Sequence, residues 1–304
     1  MMTSIDWCEF RTQAEIPAVV EALRAVYEPM GDLITIKQRS KGWNGYRQAA
    51  DVCMGDMSLG MIAYGGESQR GWVHVGLTGR GCLWLLDWSR AERVFNALPL
   101  CQYKRIDIAL TVKDGSVSHQ RVLEAFAAGL FKSGGVPPGM KKLESSDPMA
   151  GNTVYIGKRG GNKYLRCYDK GLEMLKGKAL NLNITHIDGV PVLDIYRVEF
   201  EWRSATAPIP CDAITNRDVY FAGAYPFTAQ LLQQPFEPFI QRRERGPQRE
   251  LELALMHIQQ QYGRTLFTAM VKHGGDISAV WERIVGTQHN EALIAAGVLL
   301  VDPL

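Results

Sequence analysis

The chain has 304 residues and 46% hydrophobic content, enough for a substantial core in one large domain or two smaller ones. Its 34 Lys and Arg against 32 Asp and Glu leave a formal charge of +2, so affinity for nucleic acid has to come from local clusters of cations, not from bulk charge. Widely spaced cysteines without a C-x-x-C pair argue against a zinc module or a disulfide framework and fit a reducing cytoplasm. No signal-type N-terminus and no apolar run of roughly 18 residues marks the chain as secreted or membrane-spanning.

In chain order, Val19, Val20, Leu23 and Val26 recur at three- and four-residue steps and predict a helix over Ile16 to Tyr27. Gly-punctuated segments follow (Asp32 to Ile36, Gly45 to Met54, Met61 to Tyr64) with the look of a strand meander. Val73 to Leu77 alternates as a half-buried strand and Gly79-Arg80-Gly81 reads as a turn. Ser89 and Glu92 match a capping box ahead of a helix carrying Val94, Phe95 and Leu98. A strand over Arg105 to Val112, a helix from about Ser118 to Phe131 and a Gly, Pro, Ser and Lys-rich loop from Lys132 to Asn152 come next. Thr153 to Gly157 and Tyr164 to Asp169 form a hairpin around Arg159-Gly160-Gly161-Asn162, then a short helix (Leu172 to Lys178) and a strand from Ile195 to Trp202.

The expected fold is α+β: a mixed, largely antiparallel sheet with one open catalytic face and helices on the other, plus a mostly helical C-terminal part. Residues 1–206 make the sheet domain. From 207 the sequence turns proline-rich and then helical (Arg249 to Tyr262, Leu266 to Lys272, Ile277 to Val285), giving a region 207–304 suited to binding duplex DNA.

Strand side chains alternate between faces, so each strand sorts into a buried and an open row. Ile106, Ile108, Leu110 and Val112 are apolar, leaving Arg105, Asp107, Ala109 and Thr111 on the open side. Leu165 and Cys167 are inward, with Tyr164, Arg166, Tyr168 and Lys170 opposite; Val198, Phe200 and Trp202 are inward, with Arg197, Glu199, Glu201 and Arg203 opposite. Any one strand of this kind is also what a solvated sheet surface produces. Together the three strands gather carboxylates for a hard divalent cation (Asp107, Glu199, Glu201), a hydroxyl nucleophile (Tyr168) and cations that hold phosphate (Arg166, Lys170), a set suited to phosphoryl transfer. A phenol titrates near 10, so Tyr168 needs a base or nearby positive charge, from Arg166, Lys170 or the metal. Tyr155 and Tyr164 are alternative nucleophiles, because a register slip on the hairpin exchanges roles.

Four segments resemble the Rep_trans class of rolling-circle initiators of plasmids and filamentous phages: Gly76-Leu77-Thr78-Gly79-Arg80-Gly81-Cys82, Arg105-Ile106-Asp107-Ile108-Ala109, Thr153 to Gly157 leading into Leu165-Arg166-Cys167-Tyr168-Asp169-Lys170, and Arg197-Val198-Glu199-Phe200-Glu201. Their order and spacing match over about Gly31 to Arg203. The resemblance implies nicking of one strand at a plasmid or phage double-strand origin, with a 5′-phosphotyrosine and a free 3′-hydroxyl that primes host polymerase. It also implies Mg²⁺ or Mn²⁺, a host helicase partner and a bacterial cytoplasmic setting, and a homodimer would supply the second nucleophile of a nick-and-close cycle. Two departures stand out. Thr111 occupies the open-face position where members often carry another acid, which leaves the third metal ligand open, and the histidines are isolated, so carboxylates carry the metal.

The basic turn Lys158 to Lys163, with Lys158, Arg159 and Lys163, is shaped to follow a DNA backbone, and Arg105, Arg197 and Arg203 are further DNA contacts on the sheet. His74 is structural or a phosphate contact, and Lys37 to Lys41 and Arg242 to Arg245 are basic clusters that solubility explains equally well. Two rival readings stay open: a non-catalytic nucleic-acid binder or repressor whose aromatics stack on bases, and a metal-dependent nuclease that uses water.

Overall fold

Alternating strands with one apolar row have to pair edge to edge and bury that row under helices, and the chain does this with a single large sheet. The computed structural model describes residues 2–134, 136–147, 149–175, 184–239, 247–290 and 293–294. They divide into two compact units, 1–241 and 242–304.

The first unit begins with β1 (Ser4–Thr12) and α1 (Ile16–Val26), followed by the meander β2 (Ile34–Gln38), β3 (Gln48–Met54), β4 (Met57–Tyr64) and β5 (Val73–Leu77). Two short helices, α2 (Gly79–Trp84) and α3 (Trp88–Asn96), lead to the long β6 (Gln102–Val112) and α4 (His119–Ala127). After β7 (Met140–Leu143) come the hairpin β8 (Thr153–Gly157) and β9 (Lys163–Tyr168), α5 (Lys170–Leu175), a small hairpin β10 (His186–Ile187) and β11 (Val190–Pro191), and β12 (Tyr196–Arg203). Helices α6 (Arg217–Ala222) and α7 (Pro226–Leu232) complete it. The second unit holds α8 (Pro247–Lys272) and α9 (Ile277–Ile284).

The ten sheet strands run in the order β2-β3-β4-β5-β1-β6-β12-β9-β8-β7. Every neighbouring pair is antiparallel. Strands β6, β12 and β9 sit side by side at its centre, as their shared design required. Their inward rows are sealed: Ile106, Ile108, Val198, Phe200, Trp202, Leu165 and Cys167 have no solvent exposure. Val19 and Leu23 of α1, Phe95 of α3, Val122 of α4, Phe221 of α6 and Phe227 of α7 join the same core, so the helices cover one face and leave the other open.

Several expectations change in detail. The strand β1 was not expected, because register shifts between Ile5 and Trp7 and between Glu9 and Phe10 break the two-residue period that reveals a strand. The segment Gly79 to Gly81 is the first turn of α2, not a free turn. Thr78 caps it, accepting from the Gly81 amide at 3.3 Å, and a Cβ on Gly81 would lie 2.0 Å from the Leu59 carbonyl oxygen, a contact only glycine allows. The helix at 88 is capped by Asp87, which accepts from the Arg90 amide at 2.9 Å, in place of the Ser89–Glu92 box. Glu92 instead accepts from the amides of Ile214 and Thr215 and from the Thr215 hydroxyl. The loop 132–152 contains the edge strand β7, and the late helices expected over 249–272 are one continuous α8. Part of the helix expected at 172–178, and all of Arg242 to Arg245, lie outside the described residues.

The change of sequence character at 207 falls inside the first unit, because 207–239 folds onto the sheet. Trp202 explains the anchoring: its ring lies 4.8 Å from those of Tyr220 and Phe239 and 6.0 Å from Phe200. Replacing Trp202 with alanine is expected to cost about 3–5 kcal/mol of stability. Limited proteolysis should then cut first within 207–239. Initial cutting in the β2–β5 meander would show that this segment is not held by Trp202.

Candidate functional site

The open face is built by register. Trp7, Asp107, Glu201, Tyr164 and Gly157 are successive Cα partners across β1, β6, β12, β9 and β8. One step along, Ala109, Glu199, Arg166, Tyr155 and Lys141 form the next row, ending on β7. Thr111, Arg197, Tyr168 and Thr153 form the third. Partnered residues share a face, so the carboxylates, arginines and tyrosines expected from the alternation do face one surface.

These carboxylates are almost dry: Asp107 is 2% exposed, Glu199 4% and Glu201 9%. Buried charge needs a partner, and each has an arginine. Arg105 donates to Asp107 from Nε to Oδ1 at 2.8 Å and from Nη2 to Oδ2 at 2.5 Å, and its Nη2 is 3.1 Å from Glu201 Oε2. Arg203 donates to Glu201 Oε1 at 2.5 Å. Arg166 donates to both oxygens of Glu199, at 2.8 and 2.7 Å, while its Nε is buried with no hydrogen-bond partner among the described residues. Arg197 donates to Thr111 Oγ1 and to Asp6 Oδ1, both at 2.9 Å.

Burial pushes the Asp107 carboxyl up to about 7; Arg105 opposes this, and the negative charge of Glu199 and Glu201 adds to it. Three carboxylates thus press on one another electrostatically. Among the described residues no group of three histidine, cysteine, aspartate or glutamate side chains converges as a metal cage. Arg105 and Arg166 occupy the places between the acids.

Tyr168 is 7% exposed and its hydroxyl donates to Glu199 Oε2 at 3.4 Å. Its ring is flanked by the Arg166 guanidinium at 4.9 Å and the Lys170 ammonium at 5.7 Å, the two cations expected beside it. Lys170 opens α5 and pairs with Glu173 at 2.6 Å. Burial raises the Tyr168 phenol well above its usual range and Glu199 adds to the rise, while Arg197 and Arg166 work against it. Tyr155 and Tyr164 stack with centroids 5.8 Å apart and planes 11° from parallel.

A cleft of about 530 Å³ opens over the first two rows, and Tyr168, in the third, lines a separate pocket of about 330 Å³ with Thr153, Asp169 and Glu173. The walls of the cleft carry the cations Arg105, Lys141, Arg159 and Arg166, the carboxylates Glu199 and Glu201, and the Tyr155–Tyr164 stack. Phosphate oxygens match such walls, because guanidinium groups bind them bidentately and stacked phenols offer π-faces to bases.

The basic turn is anchored. Asn162 donates to Thr206 Oγ1 at 2.7 Å and accepts from the Thr206 amide at 2.9 Å, and its carbonyl accepts from the Arg203 amide. Gly157, with φ +95°, opens the turn where a Cβ would lie 2.8 Å from the Lys163 carbonyl oxygen. Lys158 and Arg159 are exposed on it. Lys163 corrects an expectation. It partners Trp202, on the helix-covered side, and its Nζ sits 4.3 Å from the Phe239 ring and 3.4 Å from the Ala224 carbonyl, where burial lowers its pKa to about 8.

Sequence reasoning missed Lys141, which lay in the presumed loop, and the open-face residues of β1: Asp6, Trp7 and Glu9. Trp7 Nε1 donates to Glu9 Oε1 at 2.7 Å, Arg105 lies 4.9 Å over the Trp7 ring, and His74 Nε2 is 3.6 Å from Glu9 Oε2. The acidic partners at Asp6 and Glu9 were legible only once the two bulges in β1 were known.

The model of the Rep_trans family, replication initiation factor, matches residues 101–266, which takes in β6, the β8–β9 hairpin and β12. No curated protein matches the chain. Among solved structures, a rolling circle replication initiator protein from Geobacillus stearothermophilus superposes with a TM-score of 0.53 at 17% identity, over 80% of this chain and 88% of that one. This likeness is one of fold. Matched over more than half of its length by the family model, the chain belongs to the Rep_trans family of replication initiation factors.

Proposed function

We propose that this protein is a rolling-circle replication initiator that nicks one strand of its origin by attack of Tyr168. The observation that carries the reading is the hydrogen bond, at 3.4 Å, from the Tyr168 hydroxyl to Glu199, which lines a cleft rich in cations. A phenol raised by burial attacks poorly unless a base takes its proton, and Glu199 is in place to do so. The Tyr168 oxygen forms a bond to phosphorus, its proton passes to Glu199, and the bond from phosphorus to the 3′-oxygen breaks. The departing oxygen takes a proton from water and becomes the 3′-hydroxyl that primes polymerase, and the 5′-phosphate stays on tyrosine. Arg166, which lines the cleft, holds with its guanidinium the charge that builds on the phosphoryl oxygens. Arg105, Arg159 and Lys141 hold the flanking phosphates.

Asp107, Glu199 and Glu201 offer the oxygen ligands a hard divalent cation takes and crowd one another's charge, and Arg105 and Arg166 would have to give way for them to converge on one. When bound there, Mg²⁺ or Mn²⁺ would supply Lewis-acid polarisation of the scissile phosphate. A homodimer would provide the second tyrosine for closing the circle.

Tyr168→Phe is expected to abolish protein attachment to nicked supercoiled origin plasmid and to slow nicking by on the order of 10³ or more. Nicking that survives with undiminished rate would support a water nucleophile; attachment that survives would point to Tyr155 or Tyr164. Arg166→Ala should slow nicking by about 10²–10³.

The Asp107 shift also predicts a pH signature. Its pKa is raised in the folded chain, so between about pH 4 and pH 7 the folded state keeps a proton that the unfolded chain has lost. Stability from this group therefore falls as pH rises through that window, and the full cost is present above about 7. A cation that takes Asp107 as carboxylate offsets that cost. The rise in Tm on adding Mn²⁺ should accordingly be larger at about pH 8 than at about pH 6, with the difference lost in Asp107→Asn. Equal rises at both pH values in the wild type would remove Asp107 from the ligand set.

A further inference from the structure

The open face continues past the nicking cleft. Glu9 on β1 and Arg203 on β12 are both Cα partners of Arg105, and beyond them lies a second cleft, of about 370 Å³. The basic turn overhangs both, with Arg159 lining the first cleft and Gly160 the second. From β12 to β5 is three strand spacings, roughly 14 Å.

The chemistry of this second cleft differs from the first. Arg11, Lys104 and Arg203 supply positive charge, with Arg203 already paired to Glu201, and Glu9 brings a carboxylate into the lining. Among the described residues no ion pair involves Lys104, and its ammonium is lowered by burial and by Arg11. The far wall holds the rings of Tyr46 and His74. Ala49, Ala63, His74 and Arg11 are successive Cα partners across β3, β4, β5 and β1, and over this part of the open face sits a small separate core of Tyr46, Ala49 and Ala63 with Trp43 and Trp72 packed on it. The His74 ring is 5.2 Å from that of Trp43 and 6.0 Å from that of Tyr46. Arg11 stacks 4.1 Å over Trp72. Asn44 and Gln69 bring amides to the rim, and His74, 5% exposed, lines the cleft with its Nε2 buried, 3.6 Å from Glu9 Oε2 and without a hydrogen bond among the described residues.

A solvated sheet surface has no need of two cations, Arg11 and Lys104, that have no acid partner among the described residues, set beside a nearly dry imidazole and a tyrosine ring. Phosphate on one side and a flat heterocycle with hydrogen-bonding edges on the other satisfy all three. We propose that the second cleft is a nucleotide subsite for the DNA single strand that crosses the nicking cleft. It takes one unstacked nucleotide flanking the scissile phosphodiester, its phosphate at Lys104 and Arg11, its base against Tyr46 and within reach of His74, Asn44 and Gln69. The strand's route rests on the nicking reading; occupancy of the subsite can be measured without cleavage.

The test uses full-length Tyr168→Phe protein and single-stranded dT12, with 5-iodouracil replacing one thymine at a time. Photocrosslinking followed by peptide mass spectrometry is expected to yield adducts at Trp43, Tyr46 or His74 from iodouracil at one narrow position, and adducts at Tyr155 or Tyr164 from a neighbouring one. Lys104→Ala should weaken dT12 binding about fivefold or more and reduce the slope of log affinity against log salt by about 0.7, the loss of one phosphate contact. Asn44→Ala, an exposed substitution, should leave the salt slope unchanged while lowering the crosslink yield. Crosslinks confined to the first cleft, with Lys104→Ala matching the parent in affinity and slope, would overturn the proposal. Thymidine monophosphate competing at micromolar concentration would also overturn it, assigning the cleft to a free nucleotide. Nicking of supercoiled origin plasmid by the wild type is read in parallel. Absence of nicking with the expected crosslinks removes the nicking reading and keeps the subsite; nicking without those crosslinks does the reverse.

Discussion

A carboxylate with almost no water around it must be held by positive charge, and at the centre of this sheet Arg105 holds two at once, Asp107 on its own strand and Glu201 on the next. That bridge ties β6 to β12 on the open side while Ile106, Ile108, Phe200 and Trp202 tie them on the other. Arg166 on Glu199 repeats it one strand further on. Because burial raises the cost of every unpaired charge, the open face keeps its acids only by matching them to arginines, and it is these arginines that can turn to a phosphate.

Local electrostatics, not bulk charge, makes the face suited to DNA. The chain carries a formal +2, yet the first cleft gathers Arg105, Lys141, Arg159 and Arg166, and the second Arg11, Lys104 and Arg203. The basic turn between them is pinned through Asn162 to Thr206, so its exposed Lys158 and Arg159 are presented at a fixed height above the sheet. A strand laid across such a surface meets charge at several phosphates without paying for ordering the protein.

Much of this was legible in the sequence where the two-residue period is uninterrupted. In β6, β9 and β12 alternation sorted Asp107, Arg166, Tyr168, Glu199 and Glu201 onto one face, and the register joins them there. Where the period is broken it failed: the bulges in β1 hid a central strand with Asp6, Trp7 and Glu9, and short β7 hid Lys141 in a loop. Lys163 was misplaced because the basic turn reads as uniformly cationic, whereas β9 already begins at Lys163 and turns it toward Phe239. The segment after 207 was assigned elsewhere because its proline-rich stretch looks like a linker, and nothing local reveals that Tyr220 and Phe239 pack on Trp202.

The central claim is that the phenol of Tyr168 becomes covalently bound to DNA. Trypsin separates the three candidate tyrosines, since Tyr155 falls in Leu143 to Lys158, Tyr164 in Tyr164 to Arg166, and Tyr168 in Cys167 to Lys170. Mass spectrometry of digested protein after reaction with an origin oligonucleotide is predicted to find the nucleotide phosphate on the peptide Cys167 to Lys170. The same mass on either of the other two peptides, with Cys167 to Lys170 unmodified, would contradict the account.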